Sequence, residues 1–363
     1  MTRSIPTSAP SSNHSPAADG CAAEDRSSVF SRVRRYHSSV STPGAWDAFA
    51  VAAPGLEPVV ATELEGLRAP AVRVVDGGVE FTASRELLYT ANLHLRAGSR
   101  VLVRLARFRA TSFAELERRA RKVPWDLVVT RGTPVRLRVT CRKSRLYHSE
   151  GVAERLLRDI VLRFGAVAAV QARAGDALPE DEGEAAQLLV VRLERDECTI
   201  SADSSGAHLH QRGYRTAVTQ APMRETLAAA LVLASGWDRR APLVDPFCGS
   251  GTIPIEAALL AAGLAPGRNR RFQFMRWLDF DEPTWRKVAA RARSAATPGA
   301  GPMIAGSDRS EAAIRAATGN AERAGVTDLL RLERRSVSGI SPSGLYQSGR
   351  GQSGLGPSGS VEG

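Results

Sequence analysis

The chain has 363 residues, enough for two or three domains, with 43% hydrophobic residues and no apolar run approaching a membrane span. Its 49 basic residues outnumber 38 acidic ones, giving a formal charge of +11 and a pI near 10.3, which points to an acidic partner, most simply nucleic acid. Only Lys122, Lys143 and Lys287 are lysines. A GC-rich genome would produce the same arginine skew, but arginine also offers a planar fork for phosphates and a flat cation for stacking on bases. Cys21, Cys141, Cys198 and Cys248 are widely separated and form no C-x-x-C pair, which argues against a zinc site or a disulfide framework. No signal-peptide core is visible, so reduced cytoplasm is the expected compartment, with no membrane and no metal.

Residues 1–44 are rich in serine, proline and alanine without hydrophobic period and read as a disordered extension. Arg32, Arg34 and Arg35 would suit a transit peptide, but Asp19, Glu24 and Asp25 would not. Order is expected over residues 45–110: a strand at Phe49–Ala52, a helix over Leu56–Leu67 and a strand at Val79–Phe81. A short helix near Glu86–Tyr89 and a strand at Arg100–Leu105 complete a small α+β unit. A second unit, residues 111–205, opens with a helix carrying Phe113, Leu116 and Ala120. Val135–Thr140 then alternates strictly, apolar on one face and arginine on the other. A helix bearing Val152, Leu156 and Ile160, a polar insertion over 174–186 and a strand at Leu188–Leu193 follow. Between the Val135–Thr140 strand and the helix bearing Val152 stand Arg142, Lys143, Ser144, Arg145, Leu146, Tyr147 and His148. Such a run can track a phosphate backbone with an aromatic face for a base, or it can be a solvated charge run beside a strand.

The third unit, residues 206–335, begins after Arg212–Arg215, with Pro222 suited to the first turn of a helix through Leu227 and Leu231 to Gly236. His208 and His210 lack companion ligands and read as polar loop residues. An apolar run, Pro242–Val244, then ends in Asp245 and enters Pro246, Phe247, Cys248, Gly249, Ser250, Gly251 and Thr252 before an apolar helix. This strand, glycine loop and helix bring backbone N–H groups against a nucleotide-like ligand. A P-loop would need a lysine near its end, and Thr252–Pro254 follow instead. A dinucleotide loop would need a third glycine and an acid about 20 residues on. The acid closing the next strand, Met303–Asp308, lies far downstream. A tight turn with no ligand is the remaining alternative. An acid at the strand end with a threonine at the helix start suits an aminoacyl group bearing an adenosine, hence S-adenosylmethionine and methyl transfer. After an insertion with Phe272, Phe274, Trp277, Phe280 and Trp285, the Met303–Asp308 strand, a helix over Ser310–Ala324 and a strand at Leu329–Leu332 predict a parallel α/β sheet. Asp245 and Asp308 should then face one crevice at its carboxyl end.

Over residues 45–335 the chain resembles bacterial THUMP-domain methyltransferases that modify the exocyclic amine of guanine in large-subunit ribosomal RNA. The resemblance rests on Gly77–Phe81, Tyr89–Leu93, Arg142–His148, Gln211–Arg215, Ala221–Leu227, the glycine loop and Gly306–Asp308. It implies an α/β chain: a ferredoxin-like unit, a THUMP α+β unit gripping structured RNA (23S or its precursor), and a Rossmann-like class I methyltransferase domain. It further implies that Asp245 through Thr252 hold the methionine end of S-adenosylmethionine, that Asp308 takes the ribose hydroxyls, and that Arg309 packs beside adenine.

Such enzymes orient a poorly nucleophilic amine with an Asn/Asp-Pro-Pro-Tyr/Phe loop after the fourth strand. After Arg335 this sequence turns instead to a Ser/Gly-rich tail over 336–363, with no adjacent prolines. The methyltransferase domain is therefore expected to be incomplete, by a shifted or truncated reading frame near residue 336, and no catalytic residue is assigned. A non-catalytic RNA-binding protein is the alternative expectation. A sheet cut after three strands also predicts poor stability or association.

Overall fold

A computed structural model describes residues 44–165, 169–172, 186–216, 223–297 and 302–337. The expected N-terminal extension through residue 43, Pro222, most of the polar insertion and the tail from residue 338 lie outside the described residues.

β1 (Trp46–Val51) starts three residues before the expected strand at Phe49–Ala52 and alternates, burying Trp46, Ala48 and Ala50. α1 (Glu57–Gly66) carries Pro58 in its first turn, where a missing N–H breaks no helical bond, and buries Val60, Ala61 and Leu64. β2 (Arg73–Val75), for which the sequence predicts no element, and β3 (Gly78–Ala83) form an antiparallel pair. α2 (Arg85–His94), longer than its sequence signal, starts where the Ser84 hydroxyl accepts the Leu87 N–H. β4 (Arg100–Arg109) completes the βαββαβ order of a ferredoxin-like unit.

The next unit is α3 (Phe113–Ala120), β5 (Val135–Arg142), α4 (Ser149–Phe164), β6 (Ala169–Ala172), β7 (Gln187–Glu194) and β8 (Glu197–Asp203). Val135, Leu137 and Val139 are buried and Arg136 and Arg138 face away, as the alternation requires. β8 lies antiparallel to β4, from Leu102 opposite Asp203 to Arg109 opposite Glu197. The first two units thereby share one eight-stranded sheet in the order β2-β3-β1-β4-β8-β7-β5-β6.

The third unit comprises α5 (Glu225–Ala234), β9 (Leu243–Asp245), α6 (Thr252–Ala261), α7 (Glu282–Ser294), β10 (Ile304–Asp308), α8 (Glu311–Ala324) and β11 (Leu330–Arg334). Its three strands are parallel, ordered β11-β10-β9. α8 begins at the Ser310 cap and ends on left-handed Gly325, as its sequence signals indicate. The aromatic insertion is a brace rather than a loose excursion. Phe274 stacks on Tyr89 with ring centroids 4.3 Å apart, and the Trp277 indole N–H donates to the Gln187 side chain at 2.8 Å. His208 and His210, expected in a polar loop, do lie in the loop after β8, where His208 is half-buried and His210 buried, with ring centroids 5.3 Å apart. Burial, assisted by surrounding arginines, holds them down to about 3 and about 4, so both are neutral at pH 7.

Candidate active site

Because β9 and β10 run parallel with Gly306 opposite Asp245, both strands release their last acid at the same end of the sheet. The Asp245 carboxylate accepts the Phe247 N–H at 3.0 Å, which folds the chain back after the strand. Cys248 then donates its N–H to the Ser307 carbonyl at 2.9 Å, and the Gly249 N–H reaches the Asp308 carboxylate at 3.2 Å. The other Asp308 oxygen accepts the Ser310 N–H at 2.8 Å and so sets the turn into α8. The two acids thus share one loop, which joins them through Gly249.

Gly251 closes the loop in the left-handed region, donating to the Cys248 carbonyl at 2.8 Å, and starts α6 at buried Thr252. Ser250 is buried, and its carbonyl accepts the Asn320 side-chain N–H at 3.0 Å. Phe247 is 72% exposed. Burial raises the Asp245 pKa above the ordinary carboxylate range; the Phe247 N–H opposes the rise and the nearby Asp308 charge adds to it. Burial and the same two acids push the Cys248 thiol up to about 12, so it remains a thiol at neutral pH. Arg309 is exposed, its carbonyl taking the Arg334 guanidinium at 3.2 Å.

Two supports of this loop have no role in the sequence reading: Asn320, which it does not name, and Gly306, which enters it only as part of the resemblance. Asn320 is fully buried on α8 and fixed in turn by Arg323, 2.6 Å from its side-chain oxygen. Its signal was its place beside the alanine face of α8, a polar residue where an apolar one belongs. Gly306 is the second: a Cβ there would lie 2.8 Å from Leu332 and 3.2 Å from Cys248. Glycine lets the loop close onto β10.

The basic run lies elsewhere, at the end of β5. Lys143 takes a left-handed φ of 48°. The Ser144 hydroxyl accepts the Asp196 N–H at 3.1 Å, and Asp196 accepts the Arg145 N–H at 2.8 Å. Buried Leu146 pins the turn, while Arg142, Lys143, Arg145, Tyr147 and His148 are exposed and the Tyr147 ring lies 4.1 Å from that of His148. Among the described residues no helix is long and apolar enough to cross a membrane, and no cluster of three or more His, Cys, Asp or Glu could hold a metal ion.

A family model described as an RMKL-like methyltransferase domain matches residues 212–346, and one for an RlmL ferredoxin-like domain matches residues 47–102. The crystal structure of a predicted N6-adenine-specific DNA methylase from Listeria monocytogenes superposes with a TM-score of 0.71 and 33% identity, covering 82% of this chain and 76% of that one. The chain belongs to the RMKL-like methyltransferase family. Within that family it is 38% identical over 294 residues to the ribosomal RNA large subunit methyltransferase K/L of Syntrophotalea carbinolica, covering 79% of this chain and 40% of the relative. The chain spans about two fifths of the length of the curated relatives it matches. A crystal structure of SMU.472 complexed with SAH superposes with a TM-score of 0.68 and 28% identity, covering 83% of this chain and 78% of that one.

Proposed function

We propose that residues Asp245 to Thr252 and Asp308 hold S-adenosylmethionine, and that the protein serves methyl transfer to large-subunit ribosomal RNA, with guanine N2 as the acceptor amine. The observation that carries this reading is the placement of two carboxylates on one glycine loop, joined by the Gly249 N–H to Asp308. The residues fit the group. Each carboxylate oxygen has two acceptor sites, so Asp308, with one N–H on each oxygen, keeps capacity for two ribose hydroxyls. Asp245, half-buried and destabilised by Asp308, gains from a cation such as the methionine end. The Cβ direction of Gly249 is open, with no atom within 4 Å, so a ligand can lie against its backbone.

The cofactor supplies an electrophilic methyl on its sulfonium. The chain's own contribution is to hold and orient it, with Arg309 beside the adenine and Thr252 at the helix start. The substrate assignment draws on the relatives' name, large subunit methyltransferase K/L. It also draws on the turn with exposed Arg142, Lys143, Arg145, Tyr147 and His148 and half-buried Ser144, which we assign to RNA as part of a THUMP unit. A base must leave its stack to reach the methyl group. The 363 residues contain no adjacent prolines, so base presentation is assigned to none of them.

Calorimetric titration with S-adenosylmethionine tests the cofactor assignment. The wild-type protein should bind, and Asp308→Ala should bind about tenfold more weakly, a loss of about 1.4 kcal/mol. Equal affinity refutes the ribose role. RNA binding without any cofactor binding favours a non-catalytic RNA-binding protein.

A further inference from the structure

A cavity of about 880 Å³ lies between α7 and the segment that follows α6. It is not the cofactor crevice. The glycine loop precedes α6, whereas the cavity is lined by Leu264 and Ala265 beyond its far end, and ten helical residues span about 15 Å. One wall is the face of α7 bearing Ala289 and Ala292, with Ala296 just past the helix end, and their short side chains leave the space open. Phe280 and Trp285 add partly exposed aromatic surface, and Arg271, Arg276 and Arg293 stand exposed around it.

The arginines here divide into two kinds. Arg270 donates to the Ala207 carbonyl at 2.6 Å and the Gln211 carbonyl at 3.1 Å, and Arg268 donates to the Ala324 carbonyl, so these two build the wall. Arg271 and Arg293 form no side-chain hydrogen bond or ion pair with the described residues. The one acid in the lining, Glu282, is held by Arg286 at 2.6 Å. Unpaired guanidiniums over an aromatic-walled space fit phosphates joined to flat rings. The open, shallow walls suit a single strand, because the bases of a duplex are not free to stack on side chains.

We propose that this cavity is a second RNA-binding site, taking a single-stranded segment with its phosphates on Arg271 and Arg293 and one base against Phe280 and Trp285. The proposal rests on the RNA-directed function above and adds a site remote from both the glycine loop and the turn at Lys143. Such a site would hold the strand on the methyltransferase unit while the turn at Lys143 holds it on the eight-stranded sheet.

The test is fluorescence polarisation with a labelled ten-nucleotide oligouridine on the full chain, over a range of salt concentrations. Arg271→Ala with Arg293→Ala should weaken binding about tenfold and reduce the salt slope by about 1.4, since each phosphate contact on a single strand contributes about 0.7. Arg271→Lys with Arg293→Lys should keep the slope, which separates lost charge from lost folding. An abasic oligonucleotide of equal length should bind several-fold more weakly to the wild-type protein. An unchanged slope in the alanine variant overturns the proposal while leaving RNA binding at Lys143 and Arg145 intact, as a Lys143→Ala/Arg145→Ala variant would then show. Uridine monophosphate binding as tightly as the oligonucleotide overturns it in favour of a small-molecule site. A wild-type protein that binds no oligouridine overturns it too, while the cofactor titration separately decides the methyltransferase reading.

Discussion

At Gly251 the backbone has φ of 82°, and a Cβ would stand 2.9 Å from the Cβ of Ala317. Gly249, two residues earlier, has φ of 54° and nothing within 4 Å. Alanine at either position meets the left-handed penalty of about 1–2 kcal/mol. Only at 251 does it also push into a neighbouring helix, where overpacking adds about 1–3 kcal/mol. Gly251→Ala should therefore unfold at a clearly lower temperature than Gly249→Ala in parallel thermal melts. Equal midpoints would mean that α8 yields freely and that the contact with Ala317 does not hold the loop. The need for glycine in this loop was legible in the sequence. Which of the two glycines is sterically committed was not, because Ala317 approaches from an element more than sixty residues away.

Local periodicity made most elements legible: Val135–Thr140, the four-residue spacing on α4 and the alanine face of α8 each encode their own buried side. Elements that depend on distant partners were harder to read. β8 pairs with β4 across about ninety residues, and nothing local in Glu197–Asp203 announces that partner. α7 carries many arginines around a narrow apolar face at Val288 and Ala292, so its helical period is diluted. The three strands of the third unit, by contrast, stand among the described residues where the sequence predicts them. Among the described residues β9 pairs only with β10, and Leu227 and Leu231 on α5 are 41% and 45% exposed. An unpaired strand edge beside apolar helix surface is a template for association. Sedimentation velocity on the 363-residue chain should show concentration-dependent association, and Leu227→Gln with Leu231→Gln should reduce it without lowering the melting temperature. Association unchanged in the double variant would remove α5 from the contact.

The units are joined by a buried ionic network rather than by apolar packing alone. Arg212 and Glu256 form a fully buried ion pair, and Tyr214 donates to the second Glu256 oxygen at 2.7 Å. Arg212 also donates to the Arg96 carbonyl at 2.6 Å, and Arg96 donates to the Leu264 carbonyl at 2.7 Å. Glu63 on α1 accepts the Arg96 and Ala97 N–H groups at 2.7 and 2.9 Å. Two arginines face two glutamates, and their strained balance is visible in the ionisations. Burial and the Arg212 charge bring Arg96 down to about 10, while burial raises Glu63. Glu256 lies on α6, the helix that leaves the glycine loop, so this network fixes that helix against the ferredoxin-like unit. Removing one partner strands a buried charge, at a cost of about 3–5 kcal/mol, whereas replacing both by apolar residues of similar size is often nearly neutral. Denaturant unfolding of Arg212→Met, Glu256→Leu and the double variant closes a thermodynamic cycle. Each single variant should lose several kcal/mol, and the double should lose far less than their sum. Additive losses would mean that Arg212 and Glu256 act independently, and the junction would then rest on the Tyr214 and main-chain bonds rather than on the ion pair.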